Sequence, residues 1–426
     1  MRAIRRVRPF AAALLLAAAL VACLSAAALV GAAPPGAGLP HCPSAASPDS
    51  MPALDALRAV QQAQLTAADA SAGDQFGYSV ALLGDTAVVG ACYDNVGGNT
   101  YRGSAYVFVR SGGVWTQQQQ LTASDGAAGD YFGYSVAISG GSVVVSAPGN
   151  NAGAIDQGSA YVFVRSGTTW SQQQKLIAAD GAASDWFGWS VALSGETAVV
   201  GAYADDVGAN AGQGSASVFV RSGTTWSEQQ KLTAADGAAG DTFGCSVAIS
   251  GDTAVVGASS DTVGANAGQG SAYVFARSGS TWSQQQKLTA ADGAADDFFG
   301  CSVTVSAGTA VVSAYADDIG ANANQGSAYV FTGVMAKPGK PAAKSPKGVI
   351  SSRTPTFRWT AAAGAASYEV RVYKGSRLIK KKTGIAKLSW KCTKRLPRKV
   401  YLTWKVRGHN AAGWGPWSAK PRFKVR

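Results

Sequence analysis

Large apolar and small residues alternate along Tyr78–Leu82, with Tyr78, Val80 and Leu82 on one face and Ser79 and Ala81 on the other. A period of two is the mark of a β-strand. Such bursts end at Gly, Asp or Ser and then begin again, which predicts short strands joined by tight turns. Residues 245–288 show one whole unit. A first strand covers Cys245–Ser250, a Gly251-Asp252 turn follows, and a second strand covers Thr253–Ala258. After a longer loop, a third strand covers Ser271–Arg277, and a Ser-Gly-Ser turn leads to a fourth at Trp282–Leu288.

The unit repeats, and the repeat sets the architecture. Phe-Gly recurs at Phe76, Phe132, Phe187, Phe243 and Phe299, 55 or 56 residues apart. The segment GSAYVFVR, with small variations, begins at Gly103, Gly158, Gly214, Gly270 and Gly326. A Trp leading into a Gln-rich strand recurs at Trp115, Trp170, Trp226 and Trp282. The last unit stops at Phe331-Thr332-Gly333 without that strand, while Gln61–Leu65 is a fourth strand with no unit before it. This predicts an all-β fold, a five-bladed propeller of four-stranded blades whose N-terminal strand pairs with the last blade and closes the ring. Closure removes the exposed edges that an open array must protect. The propeller occupies residues 59–333.

The repeated FG(Y/C)SVA…TAVVGA…GSAYVF resembles the FG-GAP repeat in its bacterial secreted versions, a repeat that also builds the head of integrin α-chains. The resemblance implies a binding or adhesion platform. It also implies calcium, held in a DxDxDG-like loop between the first two strands. Here that place holds only Gly84-Asp85, Gly140-Gly141, Gly195-Glu196, Gly251-Asp252 and Ala307-Gly308. A calcium loop wraps several oxygens around one ion, and two residues cannot do so. The usual calcium sites are therefore not carried over, and no other cofactor is expected.

The acids lie elsewhere. Two Asp five apart precede each FG, as in Asp180/Asp185 and Asp236/Asp241. More sit in the loop between second and third strands. Both loop types emerge at one end of a propeller, so they make an acidic end. Asp side chains shape turns by accepting backbone N–H bonds, and that reading suits the recurring pairs. The sharper reading is a cation-recruiting end, for calcium or a basic partner. Its candidate ligands are Asp205, Asp206 and Asn210 in the third repeat and Asp317, Asp318 and Asn322 in the fifth. The series Tyr78, Tyr134, Trp189, Cys245 and Cys301 follows the FG, and either packs neighbouring blades or rims a platform for a protein or glycan ligand.

Charge divides the chain. From Lys337 onward there are 24 Lys and Arg against one acid, Glu369. Before that, the acids outnumber the cations. Residues 334–347 read as a Pro/Lys/Ala linker and 348–426 as a small β-sandwich. Its runs Thr356–Trp359, Tyr368–Val372 and Tyr401–Val406, with Leu396-Pro397 before the last and an Asn-Ala-Ala-Gly-Trp-Gly turn after it, resemble a fibronectin type III domain. In that family an early-strand Trp and a Tyr near this corner fill the core, which here implies Trp359 and Tyr401. Lys380, Lys381, Lys382, Lys387, Lys391, Lys394, Arg395, Arg398 and Lys399 fall in one stretch. Such an excess of positive charge points to anionic partners. Anionic cell-surface polymers and lipid headgroups are the partners expected of an exported chain, and export counts against nucleic acid.

Export rests on residues 1–33, where Arg2, Arg5, Arg6 and Arg8 precede an apolar run. Leu20-Val21-Ala22-Cys23 matches a lipobox with Cys23 acylated; ordinary cleavage before Pro34 and an uncleaved anchor are the other two readings. Residues 34–58 form a linker. No Cys pair has metal-type spacing, and five remaining thiols do not read as a disulfide framework. His41 and His409 are the only histidines, so neither a Ser-His-Asp nor a His-metal site falls in the propeller. The expectation is a secreted or envelope-associated binding protein without catalysis. The alternatives are a structural scaffold and a propeller enzyme acting on polysaccharide.

Overall fold

The computed structural model describes residues 61–426 apart from 335–338, 363, 366, 411 and 412. The expected export signal with Cys23 and the linker 34–58 lie outside the described residues. Every described element is a strand. Four sheets have four antiparallel strands in sequence order, and a fifth sheet has three. In blade four the strands are Phe243–Ser250, Thr253–Ala258, Ser271–Ser278 and Thr281–Leu288. The first strand begins two residues earlier than its periodicity suggests. A bulge between Phe243 and Ser246 breaks the alternation there and lets Phe243 pair with Ala258.

First strands of neighbouring blades pack on one another. Their approach is close enough to dictate glycine. A Cβ on Gly257 would lie 1.9 Å from the Gly300 carbonyl oxygen of the next blade. Beside it, Ser246 Oγ donates to that same oxygen at 2.7 Å. The outer strands are joined differently. Gln174 Nε2 donates to the Trp226 carbonyl at 2.7 Å, and the Trp226 N–H donates back to Gln174 Oε1 at 2.8 Å. The indole Nε1 of Trp226 donates to Gln173 at 3.0 Å. Gln118 and Gln119 hold Trp170 in this way, and Gln229 and Gln230 hold Trp282. The Trp-Gln periodicity is thus a stitch between blades, and the three stitched Trp are buried.

The closing strand is not formed, which corrects the expected closed ring. Gln61–Leu65 takes no strand pairing, and the fifth sheet stays three-stranded. Leu65 clusters with Phe76 and Val89 of blade one, as Leu121 does with Phe132 and Val145 of blade two, but no strand of blade five pairs with its segment. The stitch accounts for this. Counting back from Leu65, the Trp position is Ala59 and the position of the bidentate Gln is Ala63. The segment therefore lacks both halves of the contact that joins the other fourth strands. The two end faces are consequently open. Val330 in blade five is 66% exposed, whereas its equivalents Val107, Val162, Val218 and Val274 are at 0%. Val80 at the other end is 49% exposed against 7% for Val136 and Val191.

The C-terminal domain is a two-sheet sandwich. One sheet contains Ala343–Ser345, Thr356–Trp359 and Ser389–Lys391. The other contains Gly348–Ile350, Arg422–Val425, Tyr401–Asn410, Ser367–Lys374 and Arg377–Ile385. Phe357, Trp404 and Phe423 fill the space between them, with ring centroids 5.1 Å apart for Phe357 and Trp404. Trp359 is buried as expected, but Tyr401 is 50% exposed. Strand alternation explains the difference: Leu402, Trp404 and Val406 point inward, so Tyr401 cannot. Arg422 lies over its ring at 3.6 Å.

Candidate functional site

The loop end of the propeller is built from the Asp pairs. The second Asp of each pair is buried and accepts a backbone N–H three residues before it, as Asp130 does from Ala127 at 2.8 Å and Asp241 from Ala238 at 2.6 Å. Burial, partly offset by these bonds, raises the Asp185 and Asp241 carboxyls above the usual range. In three of the five pairs the first Asp meets a Lys at the end of the next fourth strand. Lys175 reaches Asp125 at 2.7 Å, and Lys287 reaches Asp236 at 2.8 Å and Asp261 at 2.7 Å. Burial opposes the Lys287 charge, but Asp236 and Asp261 outweigh it and hold the ammonium above the ordinary lysine range.

The six candidate ion ligands serve the same scaffold. Asp205 is buried, accepts from Ser215 Oγ and pairs with Lys231 at 2.5 Å. Asp206 accepts the Gly212 N–H at 2.7 Å, and Asn210 Nδ2 donates to Gln213 and to the Gly237 carbonyl. In the fifth repeat Asp317 accepts from the Ser327 and Tyr329 hydroxyls, Asp318 from the Asn324 N–H at 2.6 Å, and Asn322 donates to Gln325. Each set braces its own loop. One oxygen of each Asp is already taken by a backbone, hydroxyl or ammonium donor, and both Asn use their amide nitrogen within the loop, which does not fit the shell of a bound calcium ion. Among the described residues no group of three or more His, Cys, Asp or Glu is placed to hold a metal.

The same end carries something periodicity alone did not show. Tyr78, Tyr134 and Trp189, equivalent residues of blades one to three, run in a row with centroids 5.0 and 4.8 Å apart. Loop aromatics extend it. Tyr203 lies 4.3 Å from Trp189, Tyr93 lies 5.3 Å from Tyr101 and 5.5 Å from Tyr131, and Trp186 meets Trp189 edge-on. All eight rings are at least partly exposed, Tyr101 the most at 43%. The row ends at blade four, where the equivalent positions hold Thr242, Cys245 and Ser259. Cys245 and Cys301 continue the series as free thiols. The signal in the sequence was the difference between blades rather than their likeness.

The basic stretch of the sandwich folds into two places. Lys380, Lys381 and Lys382 lie on the edge strand Arg377–Ile385, and Lys391 ends the edge strand Ser389–Lys391 of the other sheet. Burial pushes the Cys392 thiol up, and the charge of Lys380 opposes it. Lys394 and Arg395 follow in the next loop, exposed. Arg398 and Lys399 are carried away from them. Arg398 donates to the Arg426 carbonyl at 2.7 Å, and Lys399 joins Tyr401, Lys424 and Arg426 around a shallow hollow. Of these eight side chains only Lys381 makes an ion pair among the described residues, to Glu369 at 3.5 Å. Glu369 itself is fully buried. Burial would raise its carboxyl, but Arg371 and Arg407 hold it below the usual range.

Comparison with known proteins bears on the repeats first. The family model described as FG-GAP repeat matches residues 59–108, 115–163, 170–219, 226–275 and 282–331. The chain belongs to the FG-GAP repeat family. Each match ends on the third strand of one blade, and the later ones begin at the Trp of a fourth strand, so the family unit spans one seam. Among solved structures, a Fn3-like protein from Clostridium thermocellum is 22% identical over 21% of this chain and 93% of its own, with a TM-score of 0.18. No curated protein matches. In this FG-GAP chain the turns between first and second strands carry pairing acids, not ion loops. Arg110 meets Asp85 at 2.6 Å, Arg277 meets Asp252 at 2.6 Å, and Arg221 meets Glu196. The sandwich touches that end, where the Gly364 N–H donates to Asp252 Oδ2 at 3.0 Å.

Proposed function

We propose that the chain is a non-catalytic, extracellular or envelope-associated binding protein. Its FG-GAP propeller presents the loop end as a ligand platform, and its basic sandwich holds the molecule to an anionic surface polymer or to lipid headgroups. FG-GAP repeats fit an extracellular binding-type propeller. The observation that carries the anchor is the unpaired state of the lysine edge. Lys382, Lys391, Lys394 and Arg395 are exposed, and no acid of the sandwich is free to neutralise them. Paired surface charges contribute little to partner binding, whereas unpaired ones of a single sign create a field that collects anions and weakens with salt.

The test is co-sedimentation of the full chain with phosphatidylglycerol vesicles and with teichoic-acid-bearing cell wall. Retention at low salt, lost by 500 mM NaCl and lost on reversing Lys382, Lys391 and Lys394 to Glu, is the expected result. Equal retention at both salt concentrations contradicts the anchor. Retention by one of the two surfaces alone assigns which polyanion is used.

A further inference from the structure

The aromatic row on blades one to three has no counterpart in blade four, and blade four folds with the same register. Its rings are therefore not demanded by the architecture. Two of them sit on a left-handed turn. Tyr131 and Trp186 have φ of +56° each. The equivalent Thr242 and Gln75 share it with φ of +58° and +54°, so smaller side chains satisfy the turn. The same left-handed turn recurs at Gln75, Tyr131, Trp186, Thr242 and Phe298, so it accepts polar, β-branched and aromatic residues alike, and the rings on it are a feature of the surface and not a demand of the turn.

The chemistry of that surface is narrow. Burial raises the phenols of Tyr93 and Tyr131, and pushes Tyr78 up to about 12, so the hydroxyls stay neutral donors. Asp156 lies close enough to Tyr131 to raise it further. The adjoining Asp94 and Asp205 are buried and already bonded, so they shape the floor without offering it a free charge. A row of partly exposed aromatic rings, tilted 46° and 44° to one another, with neutral hydroxyls and an acidic margin disfavours phosphate or sulfate. It suits a ligand that is apolar on its faces, hydroxylated on its edges and uncharged. A pyranose ring has that distribution, and the rings succeed one another at about the length of one sugar unit.

We infer that the row Tyr78–Tyr134–Trp189, with Tyr101, Tyr131 and Trp186 beside it, binds a chain of an uncharged polysaccharide. This rests on the platform reading above and names its ligand class. The row crosses from blade to blade, so the polymer would lie across the seams rather than enter one blade.

The full chain is sedimented with insoluble cellulose, β-1,3-glucan and starch granules in 500 mM NaCl, which screens the basic domain. Retention by at least one of them is expected. Trp186→Ala and, independently, Tyr101→Ala should each weaken it about tenfold or more with an unshifted thermal melt. Tyr101 is the most exposed ring, so its variant keeps the test valid if Trp186→Ala fails to fold. Absence of retention on all three overturns the inference, and vesicle binding at low salt would then still stand on its own. Retention unchanged in the folded variants also overturns it. So does displacement by a proline-rich peptide but not by soluble oligosaccharide, which would assign the platform to a protein partner.

Discussion

The propeller and the sandwich use charge in opposite ways. In the propeller nearly every cation is engaged. Lys175, Lys231 and Lys287 tie successive blades at the loop end, and Arg110, Arg221 and Arg277 close the other end against Asp85, Glu196 and Asp252. In the sandwich one buried acid draws Arg371, Arg407 and Lys381, and the remaining cations have no acid to pair with among the described residues. Residue types that look alike in a charge count thus do different work. The acidic total of the repeats describes how blades are joined, whereas the basic total of the sandwich describes what it can meet.

The contrast is sharpest for groups buried in the seams. Trp226→Ala should destabilise the propeller by about 3–5 kcal/mol, since it removes a buried ring and leaves Gln173 and Gln174 without partners. Val274→Asp should prevent folding of its blade, whereas Val330→Asp, at the equivalent but open position, should leave the thermal midpoint nearly unchanged. A large shift for Val330→Asp would mean that the end faces meet after all. Asp261→Ala comes next, at about 2–3 kcal/mol, because Ser271, Tyr273 and Lys287 lose a shared acceptor.

Alkaline titration separates the domains by the same logic. The folded Lys231, Lys287, Tyr161 and Tyr273 all titrate above their unfolded values. Groups raised in this way give stability that is complete below the unfolded value and is lost as pH rises through the folded one. The propeller melt should therefore be flat from pH 6 to 9 and fall above about pH 10. Lys287→Met should flatten part of that fall, measured by calorimetry on the full chain. Glu196→Gln should matter least, below about 0.5 kcal/mol, because that pair is largely solvent-screened. Lys382→Gln should leave the melt unchanged and alter only polyanion binding.

Much of this was legible in the residues. Strand boundaries in blade four came within two residues because the period of two, the Gly-Asp turn and the Trp-Gln run agree with one another. The blade count came from five copies of FG. Closure was misread because strand count alone does not join a seam. The Trp and the bidentate Gln do, and Ala59 and Ala63 stand in their places. Tyr401 was misread because its motif position and its strand phase conflict, and phase decides burial. The turn-forming reading holds for the second Asp of each recurring pair, whereas the first is taken by a Lys or Tyr of a neighbouring strand in four of the five. For Asp205 the occupying donors are Ser215, ten residues on, and Lys231; for Asp317 they are the Ser327 and Tyr329 hydroxyls, ten and twelve residues on. The linear lysine run hid a division into two places, because the corner before Tyr401 turns Arg398 and Lys399 toward Arg426.

The lysine edge of the sandwich has no acid to pair with among the described residues beyond Glu369, whereas the propeller's lysines are paired. The most direct measurement is the salt dependence of full-chain binding to phosphatidylglycerol vesicles, taken for the parent and for Lys382→Gln/Lys391→Gln/Lys394→Gln. A steep loss of affinity with salt is expected in the parent and a clearly shallower slope in the triple variant, with identical thermal melts. The same slope in both proteins would contradict it.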